Sequence, residues 1–345
     1  MNVSFIKIKP DGKDAEHSMF VAEIVEGNNL KINTIKIPEE QLMEFEILNY
    51  LPQAPEIDKS EDNFITSVLD KYVMNVTSLN NYLDCPLGFY YKNLIRIPAG
   101  KSETLEFGSA VHYALQKLFE EMQKNEKQEF SSKEKMIEHF KWFMKRHREN
   151  FTPESFARRM EQGEIVLGDY YDQYIPHANK IVAVERNIKN VVNGIPIKGK
   201  IDKMEFNGKE VNVVDYKTGD VNSEYTKKKL LAPNAGNPIG GDYWRQAVFY
   251  KILIDNMDGK DWKVVSSEFD FVEPDKSKGF QKRKIFIEPS DITTVKQQLT
   301  EVWNKIQTRD FYTGCGKEDC TWCNFVKENE IHIALHDMIE DEQEI

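Results

Sequence analysis

Two acids and a lysine stand out for their setting. Asp202 ends Gly199-Lys-Ile-Asp202 and Asp215 opens Asp215-Tyr-Lys217, in apolar, β-branched runs separated by Asn207-Gly208. Asn-Gly between alternating runs is a hairpin signal, so two antiparallel neighbours can bring Asp202 and Asp215 to one end of a sheet. Converging carboxylates in apolar surroundings repel and are costly unless neutralised. A hard divalent cation neutralises them through oxygen ligands. Lys217, two residues beyond Asp215, shares its face by strand alternation. There an ammonium can orient a water or stabilise negative charge developing on a phosphate. By themselves, these residues fit a surface ion pair beside a turn equally well.

The elements around them read as strands and helices. Ile181–Ile188, Ile195–Phe206 and Val211–Tyr216 are β-rich, with turn signals at Asn193-Gly194 and Asn207-Gly208. Before them, Val111, Ala114, Leu115, Leu118, Phe119 and Met122 recur at helical spacing from Gly108 onward. Further helices are expected from Thr77 or Ser78 as cap, around Phe140–Arg148 and over 153–174. A long loop follows from Thr218 to Asp242, then a helix over Tyr243–Ile254. Strands over Val264–Val272 and Lys282–Ile287 precede a helix over Asp291–Gln307 capped by Ser290. That order predicts an α/β domain with a mixed sheet flanked by helices.

Composition narrows the classes. The 345 residues carry 46 Lys+Arg against 57 Asp+Glu, a net charge of −11, with 40% apolar residues. This is a globular profile. No apolar run approaches membrane-spanning length, and the start has no secretory h-region. Four cysteines in a chain this long exclude a disulfide miniprotein. The expectation is a cytoplasmic, reducing compartment with thiols or metal ligands. Residues 1–70, with short alternating runs at 3–8, 19–24 and 32–37 and a Pro-bearing stretch over 51–60, read as an N-terminal appendage and linker. Residues 71–335 read as the main domain and 336–345 as an acidic tail.

Four short motifs in order carry a family resemblance: Gly108-Ser-Ala-Val-His112, Gly199-Lys-Ile-Asp202, Asp215-Tyr-Lys217 and Gln246-Ala-Val-Phe-Tyr250. Over roughly residues 76–326 the chain resembles the RecB-like branch of the PD-(D/E)XK nucleases. The resemblance implies a restriction-endonuclease-like core and Mg²⁺- or Mn²⁺-dependent hydrolysis of DNA. It implies that His112, Asp202, Asp215 and the Tyr216 carbonyl hold the metal. Lys217 activates or positions the attacking water, and Gln246 and Tyr250 line the site. Read without the resemblance, His112 is a histidine at a core boundary, and Gln246 and Tyr250 are one polar helix edge. Glu185 precedes Asp202 by one hairpin, where some relatives carry an acid near the metal; it is not assigned as a ligand.

The cysteines form a second set. Cys85 precedes Pro86, and the others cluster as Cys315-Gly-Lys-Glu-Asp-Cys320-Thr-Trp-Cys323. Cys-x-x-Cys with a third Cys nearby looks like a metal knuckle. AddB-type RecB-like nucleases are similar and hold a 4Fe-4S cluster with one upstream and three C-terminal cysteines. That pattern has its last Cys six residues after the Cys-x-x-Cys, where Asn329 stands here, so Cys315 would substitute from the other side. Zn²⁺ on the same thiolates, or no metal, are the alternatives.

The charge is uneven. Arg186–Lys229 carries ten Lys/Arg against six Asp/Glu, a local +4. Lys227-Lys228-Lys229 follows the Asp-x-Lys strand, and Lys141, Lys145, Arg146, Arg148, Arg158 and Arg159 interleave with Trp142, Phe143 and Phe151. Basic and aromatic residues together suit a nucleic-acid strand, although each alone reads as a solvated helix face. No P-loop pattern occurs. The expected activity is an exonuclease in DNA repair or recombination, as the nuclease part of a helicase–nuclease. The rivals are a stand-alone nuclease and a catalytically silent nuclease-fold module that binds DNA or a partner.

Overall fold

The computed structural model describes residues 24, 38, 54–57, 59, 62–98, 100, 102–275, 279–329 and 331. The runs expected at 3–8 and 32–37, most of that at 19–24, and the acidic tail lie outside them.

Five strands form one sheet in the order β1 (Val182–Val192), β2 (Ile195–Asn207), β3 (Glu210–Lys217), β4 (Lys263–Asp275) and β5 (Gly279–Ile285). The β1–β2–β3 meander and the β4–β5 pair are antiparallel, whereas β3 and β4 run parallel. Parallel neighbours need a crossover, and helix α8 (Asp242–Asp255) supplies it. Asn193 and Gly194 both take positive φ (53° and 78°) in the first hairpin turn, as the Asn-Gly signal requires.

Before the sheet come α1 (Asp62–Leu69), α2 (Val76–Asp84), α3 (Pro86–Phe89), α4 (Glu103–Lys124), α5 (Lys133–Arg146) and α6 (Pro153–Tyr174). Short helix α7 (Glu224–Leu230) precedes α8; α9 (Pro289–Gln307) and α10 (Thr321–Glu328) close the domain. Each sheet face is covered. Trp244, Val248 and Leu253 of α8 pack with Val213, Ile197 and Ile201 on one side. The α4 stripe packs with Val214 and Tyr216 on the other. Val111, Ala114, Leu115, Leu118, Phe119 and Met122 are all buried. Each large apolar side chain so buried contributes about 1.5–3 kcal/mol, which clamps α4 and sets His112 on the margin of its buried stripe.

Some local readings change. Asn75, rather than Thr77 or Ser78, caps α2, in a reciprocal box with Ser78. Its carboxamide reaches the third amide, the geometry an N-cap needs. Glu288, rather than Ser290, caps α9, paired with Asp291. The expected loop over 218–242 contains α7, capped by Ser223. Helix α1 falls within the stretch read as the appendage, yet it buries Ile65 and Leu69 in the α8-side core. Pro55–Ile57 pair with Tyr312–Gly314.

The first hairpin holds one irregularity. Ala183 and Ile188 both enter the α8-side core, although an odd spacing sends strand residues to opposite faces. The reversal coincides with Glu185, whose φ is +52° inside β1. Such a conformation costs a non-glycine residue about 1–3 kcal/mol and gathers at functional sites.

Candidate active site

Four elements meet at the sheet end where β3 stops. Asp202 and Asp215 stand one step beyond Lys203 and Val214, a paired position of β2 and β3. Helix α4 brings His112 across. Its Nε2 lies 2.8 Å from the Tyr216 carbonyl and its Nδ1 3.3 Å from Asp202 Oδ2. The Tyr216 amide donates to the same Asp202 oxygen at 3.1 Å. The motif glycines permit this approach. A Cβ on Gly108 would sit 3.1 Å from Thr218 Oγ1; one on Gly199 would lie 2.8 Å from Leu253 Cδ2, prising α8 off β2.

Lys217 points to the same place. Its Nζ is 2.6 Å from Asp215 Oδ2 and donates to Gln246 Oε1 at 3.2 Å. The Gln246 amide donates to Asp215 Oδ1 at 2.7 Å and to Tyr250 OH at 3.2 Å. Tyr250 in turn donates to the Lys200 carbonyl at 3.1 Å. Gln246 thus ties the acid and the lysine to α8. The Lys217 ammonium also lies 4.6 Å from the Tyr243 ring centroid, a cation–π contact.

Charge states follow from these neighbours. Burial opposes ionisation of Asp202, but the His112 imidazole and the Tyr216 amide overcome it and hold its carboxyl below the usual range. Burial opposes the His112 cation as well; Asp202 outweighs it and raises the imidazole. Burial and nearby Asp202 raise Asp215, against Lys217. Asp215 raises Lys217 despite its burial, so Lys217 is an ammonium at neutral pH and a donor, not a base.

Glu185 completes the group. One ligand atom each of His112, Glu185 and Asp202 lies within 4.8 Å of the others. The left-handed turn at Glu185 puts it opposite Asp202 across the hairpin, where Lys200 pairs with it. Alternation alone gave no reason to assign it; the strained residue is the missing signal. Asp215 stands outside that trio, turned to Lys217 and Gln246. A divalent cation suits the set. Two buried carboxylate oxygens, Asp215 Oδ2 and Glu185 Oε2, are met among the described residues only by the Lys217 and Lys200 ammoniums, so each already faces positive charge. One imidazole among carboxylates and a carbonyl is the donor mixture of Mg²⁺ or Mn²⁺. The group lines an open cleft of about 1050 Å³ together with Tyr113, Phe143, Tyr225 and Lys229.

Another residue that the motifs do not mark is Arg245. It is 1% exposed, donates to Asn80, Gln298 and the carbonyls of Ile239 and Gly240, and so fixes the loop entering α8. The basic residues of α5 and α6 split. Lys141 pairs with Glu164, and Arg158 and Arg159 with Glu103. Arg146 lies over the exposed Trp142 ring.

A second cluster joins the ends of the domain. One Sγ each of Cys85, Cys315, Cys320 and Cys323 lies within 4.8 Å of the rest. Cys323 is 3.9 Å from Cys85 and 3.8 Å from Cys315. Burial pushes the Cys85 thiol far up and Cys315 to about 11. Burial also opposes ionisation of Cys320, but the α10 amides of Cys323 and Trp322 bring that thiol below its usual value. Four sulfurs converging at one point fit a tetrathiolate centre. Lys317 pairs with Asp84 at 2.7 Å and Trp322 stacks on Tyr91, closing the same seam.

Among the described residues, no helix is long and apolar enough to cross a membrane. No curated protein matches the chain. Solved structures similar at low identity include these two. A Eubacterium rectale protein provisionally named an exonuclease aligns at 15% identity and a TM-score of 0.47, over 78% of this chain and 93% of its own. The protein SSO0001 aligns at 14% and 0.28, over 71% and 86%. The sequence profile of the PD-(D/E)XK nuclease superfamily matches residues 73–327, the span that holds the sheet, both acids, His112 and the four cysteines. The chain belongs to the PD-(D/E)XK nuclease superfamily, in its RecB-like branch.

Proposed function

We propose that this protein is a Mg²⁺- or Mn²⁺-dependent DNA nuclease, an exonuclease acting on DNA ends in repair or recombination. The observation that carries the reading is the convergence of His112, Glu185, Asp202 and the Tyr216 carbonyl beside Lys217. His112, Asp202, Asp215, Glu185 and the Tyr216 carbonyl are the residues that would hold the cation. When bound, the cation supplies Lewis-acid stabilisation of phosphate charge and acidifies water. Lys217, kept protonated by Asp215, donates toward the phosphate or the water that attacks it in line. Gln246 orients both Lys217 and Asp215, and Tyr250 holds Gln246. Water adds to phosphorus and gives up a proton to solvent, the ester P–O bond breaks, and the leaving oxygen takes a proton from solvent. None of these residues points to a covalent intermediate.

For the thiols we propose a 4Fe-4S cluster, with Zn²⁺ as the alternative. Its role is to tie the start of the domain to its end, away from the hydrolytic group. The place of the protein is the nuclease part of a helicase–nuclease, the arrangement that its resemblance to the RecB-like branch suggests.

Linear and circular DNA incubated with Mg²⁺, Mn²⁺ or EDTA test the activity. Metal-dependent loss of linear DNA, abolished by Asp215→Ala in a folded variant, is the expected result. Equal cleavage by that variant removes the site assignment. No cleavage by the native protein, together with DNA binding, favours a silent module.

A further inference from the structure

Beyond the catalytic cleft, the first hairpin continues as a basic surface. Lys198, Lys200 and Asp202 alternate along β2, on the face opposite buried Ile195, Ile197 and Ile201. Each step of two residues is about 6.6 Å, so cations lead away from the acid at regular intervals. On β1, Lys189 is the cross-strand partner of Lys198 and Asn187 that of Lys200. Three hollows follow this line and share residues. Lys200 lines both the catalytic cleft and a hollow of about 490 Å³ with Lys189, Lys198 and Tyr250. Lys198 and Asn75 line that hollow and a third, of about 600 Å³, with Lys71, Lys92 and Arg96. The Met74–Ile197 bridge holds the two walls together.

We propose that this line is a single-strand nucleic-acid track leading from the catalytic group to the Lys71–Lys92–Arg96 hollow. Six exposed cations line the second and third hollows, and no carboxylate does, on a chain whose net charge is −11. Among the described residues, only Lys200 of the six has an ion-pair partner, Glu185 of the metal group. A chain of unpaired cations without acids is the electrostatic footprint of a phosphate backbone. Phe64, 46% exposed, lines the third hollow among its cations. A single strand offers base faces to such a ring, and a duplex hides them. The track therefore receives the strand several nucleotides from the scissile bond. It rests on the nuclease reading for its polarity but not for its binding.

The test is the triple variant Lys71→Ala/Lys92→Ala/Lys198→Ala in the full chain, whose exposed side chains leave the core intact. Binding of labelled oligothymidylate of about 20 nucleotides, longer than most single-strand sites, is measured in EDTA across a salt series. The expected result is roughly tenfold weaker binding, and a salt dependence shallower by about 2 log units per decade, from about 0.7 per lost phosphate contact. The corresponding triple Lys→Arg variant retains native binding. Hydrolysis of a very short oligonucleotide with Mn²⁺ is unchanged in all three proteins. Unaltered affinity and salt dependence in the alanine variant overturn the track, as does tighter binding of a blunt duplex than of the single strand. Polyglutamate binding as tightly as the oligonucleotide also overturns it, in favour of an acidic polypeptide partner. A native protein that binds through these lysines yet cleaves nothing unseats the nuclease reading alone.

Discussion

His112 Nδ1 lies 3.3 Å from Asp202 Oδ2 while its Nε2 contacts the Tyr216 carbonyl at 2.8 Å. The imidazole therefore bridges two oxygen acceptors, and Asp202, outweighing burial, raises its pKa in favour of the protonated form. A divalent ion held by these groups, as proposed, would compete with a proton on His112.

Metal binding is then expected to release a proton from His112. Affinity for Mn²⁺ rises with pH through the raised imidazole range and levels off above it. Calorimetry in buffers of different ionisation enthalpy measures the proton. His112→Gln removes the release and flattens the pH dependence; an unchanged proton count in that variant contradicts the bridge.

Stability of the metal-free protein follows the same pair in both directions. The His112 pKa is raised on folding, so its contribution is full below the ordinary histidine value and disappears as pH climbs through the raised one. The Asp202 pKa is lowered, so its contribution is full above the ordinary aspartate value and disappears as pH falls through the lowered one. Denaturant titrations with EDTA are expected to show a plateau between these limits, and Asp202→Asn to remove both slopes.

Lys217 and Gln246 separate binding from chemistry. Lys217→Met is expected to lower kcat by about 10²–10³, the scale of a lost transition-state donor, and to leave Mn²⁺ affinity nearly unchanged. Gln246→Ala removes the contacts that orient Lys217 and Asp215 and the one to Tyr250, and a smaller fall in kcat is expected. Single-turnover rates alongside metal titration distinguish the two.

Gly199→Ala tests the packing beneath the site. The added Cβ meets Leu253 at 2.8 Å and Tyr250 at 3.1 Å, both buried. Overpacking of this kind costs about 1–3 kcal/mol, read as a lower Tm. Because α8 carries Gln246, activity is expected to fall as well.

Protein purified without oxygen is expected to contain about four irons and four sulfides per chain, the content of one 4Fe-4S cluster. Cys323→Ser removes them and lowers Tm, since the Cys323 sulfur lies 3.9 Å from that of Cys85 and 3.8 Å from that of Cys315. One zinc and no sulfide identifies the alternative.

Motifs made part of this site legible in the sequence. Asp202, Asp215 and Lys217 lie on strands whose order and turns were readable from alternation and from two Asn-Gly pairs, and local periodicity governs both. His112 and the Gln246–Tyr250 edge were legible only through the resemblance, because one turn of helix carries no record of what it faces. Glu185 was noticed through the resemblance but not assigned, for a definite reason. Period-2 reading assumes an unbroken strand, and its left-handed φ reverses the alternation at that one residue. Arg245 was hidden because its partners lie in the loop before α8, in α2 and in α9, and no local pattern encodes a buried guanidinium. The convergence of Cys85 with three cysteines more than two hundred positions later likewise depends on how the ends of the domain pack. Residue types and short-range spacing therefore determined the chemistry available to this chain. Which carboxylates converge at the sheet end, and how the neighbouring hollows line up along the hairpin, were decided only by tertiary contacts, because those relationships join residues distant along the chain.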